Sequence, residues 1–404
     1  MIPAFCFAST KESPARVRIF LALVLISVVA SMMSCGGGSS GSSGNNPPPP
    51  PPPSGSAPQW TRVGNTGMAQ TWGTVFDNAG NMYAASNNAT TGGIAKSTDH
   101  GATWTALNTG LVLTNNCASF RSLGVAPDGT VYTMNQVGCM GGIARAYYLD
   151  NVNGPGTTWT QASIQSPGIS TGMENGCAIA GNHTTIICPT GAPKVLLSND
   201  NARTWTFSPG SPTGTAEMLY AYTMPSGTTF MAFGGQAGHT GYLYYTTDNG
   251  QSWTSTSNPG VSGVGDSWTV GLAGAGSQAG DVLTYFGEQN TGTGMWCYKE
   301  SGASWTSCNN NVNLSQPQVD VTMLQINRTH TRTIAVKYED SGAKPIYTDD
   351  GGSTWGDASS GLTPDTSSLY GGAKTAYVQV DPTTGYFYIS LKNGDIYRTT
   401  ASQD

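Results

Sequence analysis

The chain has 404 residues, of which 54 are glycine and only 17 are lysine or arginine, and its formal net charge is −6. The first 34 residues carry +2, from Lys11, Arg16 and Arg18 against Glu12, so the remainder carries −8. No basic run or patch stands out, which argues against a nucleic-acid partner. No heptad or long 3.6-residue apolar period stands out either. Frequent Gly, Thr, Ser and Asn between short Val, Ile, Tyr and Phe runs favour many short strands.

Residues 1–34 read as an export signal. Arg16 and Arg18 precede the apolar run Ile19 to Ala30, which is shorter than the roughly 20 residues of a membrane-spanning helix. Ser34-Cys35 follows, and this arrangement resembles a bacterial lipoprotein signal, with Met32 and Met33 departing from the usual pattern. The resemblance implies lipidation of Cys35; an ordinary cleaved signal with an incidental cysteine is the alternative. Residues 35–58 read as a linker. Gly36 to Gly44 is a Gly/Ser coil and Pro47 to Pro53 a stiff polyproline stretch, together a spacer, with a proline-motif ligand as the other reading.

From residue 59 an eight-residue pattern recurs: Ser/Thr, any, Asp, any, Gly, any, Ser/Thr, Trp. It appears as STDHGATW ending at Trp104, TTDNGQSW at Trp253 and TDDGGSTW at Trp355. SNDNARTW, ending at Trp205, has Ala202 in the glycine slot, and weaker copies end at Trp159 and Trp305. From Trp60 the tryptophans are spaced by 44, 55, 46, 48, 52 and 50 residues, and 49 more remain to Asp404. Each unit also carries a hairpin signal at the same phase, such as DNAGN from Asp77, APDGT from Ala126, MPSGT from Met224 and DPTTG from Asp381.

This pattern resembles the Asp-box, or BNR, repeat of sialidase-like propellers. The resemblance covers residues 59–404 and implies an all-β fold: a single seven-bladed β-propeller of four-stranded blades, closed by the N-terminal strand. In that arrangement the repeat joins the third and outermost strands of a blade, and Trp60 supplies the outermost strand missing after IYRTTASQD, leaving no open edge. The repeat has a physical logic. The aspartate accepts bonds from following amides, the glycine provides a positive φ, and the tryptophan packs between its sheet and the next. Asp99, Asp200, Asp248 and Asp350 are therefore read as structural and not catalytic.

Beyond Cys6 and Cys35 the cysteines fall as neighbours: Cys117 with Cys139, Cys177 with Cys188, and Cys297 with Cys308. An even count in an exported chain favours three disulfides, each within one blade, over metal binding. The four histidines, His100, His183, His239 and His330, form no cluster. Neither a metal nor a cofactor is expected.

The inner strand starts, on the face opposite the repeat turns, carry Gln70 and Trp72, Arg121, Glu174, Glu217, Asp266 and Trp268, Asp320, and Lys374. Loops between second and third strands add His239, Glu288, Glu339 and Asp340 to that face. Glu174, Glu217, Asp266 and Asp320 are candidate catalytic carboxylates, because glycoside hydrolysis needs two carboxyl groups roughly 5–10 Å apart. Trp72, Arg121, Trp268 and Lys374 are candidate ligand-binding residues, the tryptophans by stacking on sugar rings. A ring of solvated acids at a channel mouth is the alternative. Resemblance to sialidases proper is weak: that family implies three arginines and a tyrosine–glutamate pair, and only Arg121 lies where one such arginine belongs. Sialidase activity is not expected.

Two functions are carried forward. One is an exported propeller, lipid-anchored in the bacterial cell envelope at the outer membrane or cell surface, that binds a neutral polysaccharide or cell-wall glycan, with its hydrolysis left open. The other is a non-catalytic scaffold that docks a surface protein, similar to propeller assembly factors. A monomer is expected.

Overall fold

A computed structural model describes residues 55–404, apart from 69, 87, 89–90, 115–116, 136–143, 151–156, 166–175, 191–193, 213–216, 235–241, 257–266, 275–280, 289–291, 300–303, 308–319, 340–341 and 364–375. For Arg121, Glu217, Trp268, Glu288, Asp320 and Glu339 the backbone alone is described.

The described strands form seven sheets. Sheet 1 orders Thr71–Phe76, Met82–Ser86, Ile94–Ser97 and Thr105–Ala106. Sheet 2 orders Phe120–Val125, Val131–Asn135, Ala146–Leu149 and Thr160–Gln161. Sheet 3 orders Ala178–Ile179, Ile186–Pro189, Val195–Ser198 and Thr204–Phe207, with Ser163–Ile164 added parallel to the last. Sheet 4 orders Glu217–Thr223, Thr229–Gly234, Tyr242–Thr246 and Thr254–Ser255. Sheet 5 orders Ser267–Gly274, Asp281–Glu288, Gly292–Lys299 and Ser304–Ser307. Sheet 6 orders Asp320–Ile326, Thr333–Glu339, Gly342–Thr348 and Gly356–Asp357. Sheet 7 orders Ala376–Val380, Phe387–Leu391 and Asp395–Thr399, and its fourth strand is Trp60–Asn65, paired antiparallel with Asp395–Thr399.

The first strand of each sheet lies beside the first strand of another. Thr71–Phe76 neighbours both Phe120–Val125 and Ala376–Val380, and Asp320–Ile326 neighbours Ala376–Val380 and Ser267–Gly274. Glu217–Thr223 neighbours Ser267–Gly274 and the start of sheet 3. Sheets 2 and 3 meet through Tyr132 and Met134 packed with Ile186 and Trp205.

The core sits between sheets. Phe120 and Val131 of sheet 2 pack with Tyr83 and Ile94 of sheet 1, and Phe76 and Met82 of sheet 1 pack with Tyr388 and Ile396 of sheet 7. A strand covered on both faces has no solvent side, so the period-two alternation disappears. Met82–Ser86, Val131–Asn135 and Phe387–Leu391 are accordingly buried at every position. The short outermost strands Thr105–Ala106 and Thr254–Ser255 are exposed.

The hairpin signals fold as read. Gly80, Gly129, Gly227 and Gly385 all have positive φ, from 73° to 91°. The Asp77 carboxylate accepts the amides of Ala79 and Asn81, both at 2.9 Å.

Candidate functional site

The repeat turns build one face of the molecule. In each well-preserved copy, one aspartate oxygen accepts the backbone amide four residues on, at 2.9 Å in Thr103, 2.8 Å in Thr204, 2.9 Å in Ser252 and 2.8 Å in Thr354. The other oxygen accepts the hydroxyl of the same residue. The Ser or Thr two positions before the aspartate acts as a relay that the sequence did not reveal. Its hydroxyl donates to the carboxylate and accepts the amide at the glycine slot, as Ser97 does toward Asp99 and Gly101, both at 2.8 Å. Burial by itself would raise the Asp99 and Asp248 carboxyls; the bonds from Thr103 and Ser97, and from Ser252 and Thr246, outweigh it and hold both down at about 2. Each of these carboxylates accepts three hydrogen bonds from within its own turn, which fits a structural role.

The tryptophans tie sheets together. Trp205 is fully buried, its ring 5.6 Å from Tyr132 of sheet 2. Trp159 Nε1 donates to the Leu107 carbonyl of sheet 1 at 2.7 Å, and Trp253 Nε1 to Ser208 Oγ at 3.2 Å. Polar side-chain contacts on the same face do likewise. Arg203 reaches Asp150 at 2.5 Å and Asp128 at 3.4 Å, and His100 Nδ1 lies 3.0 Å from the buried Asp381.

Among the sequence-derived candidates, Glu217 and Asp320 do open the inner strands of sheets 4 and 6, opposite Gly234 and Tyr338. Trp268 is the second residue of the inner strand of sheet 5, opposite Gly287. Glu288 and Glu339 end second strands at that same end. Glu174, Asp266, Lys374, His239 and Asp340 lie outside the described residues.

Trp72 is a correction. Its side chain is only 7% exposed and packs in the core with Tyr377 and Leu391, so it offers no open platform for a sugar ring. Every position of its strand is buried, and a β-bulge also interrupts that strand at Trp72. The register of Thr71–Phe76 shifts between Thr71 and Gly73, which places Trp72 at the irregularity, and that of Phe120–Val125 shifts in the same way between Phe120 and Ser122, at Arg121. An extra residue in one strand redirects its side chain relative to simple alternation.

The Cys177–Cys188 disulfide forms as expected, its Cα atoms 4.3 Å apart across the first two strands of sheet 3. Cys117 is buried and disulfide-bonded. Cys139 and Cys308 lie outside the described residues, as does the side chain of Cys297.

A cavity of about 290 Å³ lies between inner strands, lined by Gly73 to Phe76 of sheet 1, Leu123 to Val125 of sheet 2, Gly176 and Cys177, and Tyr377, Gln379 and Val380 of sheet 7. Asn78 and Pro382, from the first hairpins of sheets 1 and 7, also line it, which sets it toward the repeat-turn face. None of these lining residues is charged. Thr74 Oγ1 already shares a hydrogen bond with Ser390 Oγ at 3.1 Å, leaving Gln379 and Asn78 as the freer polar side chains. Trp72, Arg121 and Trp268, which the sequence suggested for ligand binding, lie toward the opposite ends of their strands. No group of three or more His, Cys, Asp or Glu able to hold a metal occurs among the described residues.

No protein-family model matches the chain. No curated protein matches it. Solved structures do. A GH74 xyloglucanase from Xanthomonas campestris superposes with TM-score 0.62 and 14% identity over 86% of this chain and 54% of that one. A GH74 enzyme from Niastella koreensis gives 0.59 and 14% over 84% and 53%. The chain thus spans about half the length of these two. YCF48 bound to D1 peptide gives 0.58 and 14% over 88% of this chain and 98% of that one. The fold is a β-propeller of four-stranded blades. At these identities the likeness shows the fold alone.

Proposed function

We propose that the chain is an exported propeller, lipid-anchored through Cys35 in the bacterial cell envelope, that binds a neutral glycan segment along its axis. In this reading residues 59–404 are one ring of seven Asp-box blades, closed by Trp60–Asn65, working as a monomer. The observation that carries the ligand class is the cavity of about 290 Å³ whose lining residues include no charge. A site without a fixed charge does not select an ion, and neutral amide and backbone groups beside apolar walls suit an uncharged, hydroxyl-rich ligand. The xyloglucanase likeness supports a glycan as a reasonable class to test.

Gln379→Trp fills the cavity. Isothermal titration against neutral polysaccharides chosen from a glycan array should show binding by the native domain and its loss in this variant, with an unchanged melting temperature. Equal binding by both proteins would remove the cavity from the function. The second reading, a protein-docking scaffold, is supported by the likeness to YCF48 bound to D1 peptide, which this chain matches over 98% of that chain. A domain that binds nothing on the glycan array and captures a defined surface peptide would decide for it.

A further inference from the structure

The cavity wall is held differently in sheet 3 than in its neighbours. Among the described residues, the first strand of that sheet, Ala178–Ile179, is two residues long, whereas the first strands of the other six sheets run from five to eight. Gly176 and Cys177 come just before it, and both line the cavity. Cys177 is tied by its disulfide to Cys188, which is fully buried within Ile186–Pro189 and pairs with Leu196 of the next strand. The Gly176 carbonyl in turn accepts the amide of Ala221, in the first strand of sheet 4, at 2.6 Å. A covalent bridge thus stands at the place where the longer first strands continue their backbone ladder, and it fixes the two residues that face the cavity.

We infer that Cys177–Cys188 is a redox latch on the cavity wall: closed, it holds Gly176 and Cys177 in place beside sheet 4, and opened by a dithiol reductant, it loosens them and weakens ligand binding in the cavity. The effect on a ligand rests on the glycan-binding reading above; the latch itself does not. The two sulfurs are unequal. Cys188 is fully buried, while Cys177 is half-buried at the cavity, so Cys177 is the sulfur that an incoming thiolate reaches. That thiolate attacks Cys177 Sγ, the S–S bond breaks, and Cys188 leaves as a thiolate that takes up a proton. The second sulfur of the reductant then attacks the mixed disulfide and releases Cys177, which takes up the other proton. The dithiol is oxidised to a disulfide, and the protein pair gains two electrons and two protons. The first strand is then joined to the second by the pairs Ala178–Ile187 and Ile179–Ile186, a short ladder that opens locally more readily than a long one.

The test treats the full chain with dithiothreitol under native conditions and follows each cysteine by differential alkylation and mass spectrometry. Cys177 and Cys188 should become alkylated while the domain stays folded. Amide exchange of Glu217–Thr223, which carries the Ala221 amide, should rise by about tenfold or more while that of Val131–Asn135 in sheet 2 stays the same. The variant Cys177→Ala with Cys188→Ala should show the raised exchange without reductant and no response to it. A neutral glycan bound by the oxidised domain should bind about tenfold more weakly after reduction, the scale of reordering one backbone residue, and recover when oxidised glutathione restores the bridge. Cysteines 177 and 188 that react only as the whole domain unfolds, or a reduction that leaves exchange of Glu217–Thr223 unchanged, would overturn the inference. Raised exchange with unchanged glycan affinity overturns the role of the latch in binding. Raised exchange in a domain that binds no glycan keeps the latch and removes the glycan reading.

Discussion

Trp60 Nε1 donates a 2.6 Å hydrogen bond to the carbonyl of Ala358, a residue 298 positions later in the chain. Trp159 makes the matching bond to Leu107 of the preceding sheet at 2.7 Å. The first tryptophan of the domain therefore does for the end of the chain what the internal tryptophans do between neighbours.

Removal of this anchor should be felt by the whole domain. Trp60 is 3% exposed and belongs to a core cluster with Tyr377, Tyr397 and Leu362. Trp60→Ala is expected to cost about 3–5 kcal/mol, and deletion of residues 59–64 more, because it also uncovers the edge of Asp395–Thr399. Urea unfolding checks this; an unchanged midpoint for the deletion would show that the strand is dispensable.

Acid should loosen the repeat turns in a defined window. The folded-state carboxyls of Asp99 and Asp248 sit at about 2, below the unfolded value of about 4. Groups with a depressed folded pKa stabilise above the unfolded value and lose that contribution as pH falls through the folded one. The urea midpoint should accordingly decline between about pH 4 and pH 2. In a variant with Asp99→Asn and Asp248→Asn that decline should be shallower. An identical slope would assign the acid sensitivity to other groups.

The glycine slot of the repeat separates two effects. Gly250 has φ of +85°, and a Cβ there would lie 2.8 Å from Leu197 Cδ2. Gly250→Ala is expected to cost about 1–3 kcal/mol. Ala202 already occupies the equivalent slot at φ of +69°, fully buried. Ala202→Gly should shift stability by less than about 1 kcal/mol, since relief of the left-handed strain is offset by the lost methyl burial. Thermal melts of the pair would settle the comparison.

Reduction or replacement of the Cys177–Cys188 bridge, Cys177→Ser with Cys188→Ser, should lower stability by about 2–3 kcal/mol, the scale for a short closed loop. Non-reducing peptide mapping of the native protein should recover this pair as one linked species; a link from Cys177 to any other cysteine would contradict the structure.

The two ends of the axis make opposite predictions. If ligand reaches the inner strand starts, Asp266→Asn and Asp320→Asn should weaken glycan binding with little change in melting temperature. If it occupies the described cavity, those variants should bind normally and Gln379→Trp should not. Titration of all three variants against one glycan distinguishes the ends.

The sequence by itself determined the local chemistry. A Ser/Thr, an aspartate, a positive-φ residue and a tryptophan at fixed spacing specify a turn through contacts within about eight residues, so the strand ends, the hairpins at Asp77, Ala126, Met224 and Asp381, and the pairing of Cys177 with Cys188 were legible. Tertiary structure decided where side chains point and which distant residues meet. Trp72 was read from its place at the start of an inner strand, and the neighbouring sheets bury it in the core instead. The partners of Arg203 come from residues 128 and 150, and the cavity draws glycine, valine and glutamine from strands hundreds of residues apart. Such sites exist only because successive sheets are packed side by side, and that packing is a property of the whole chain.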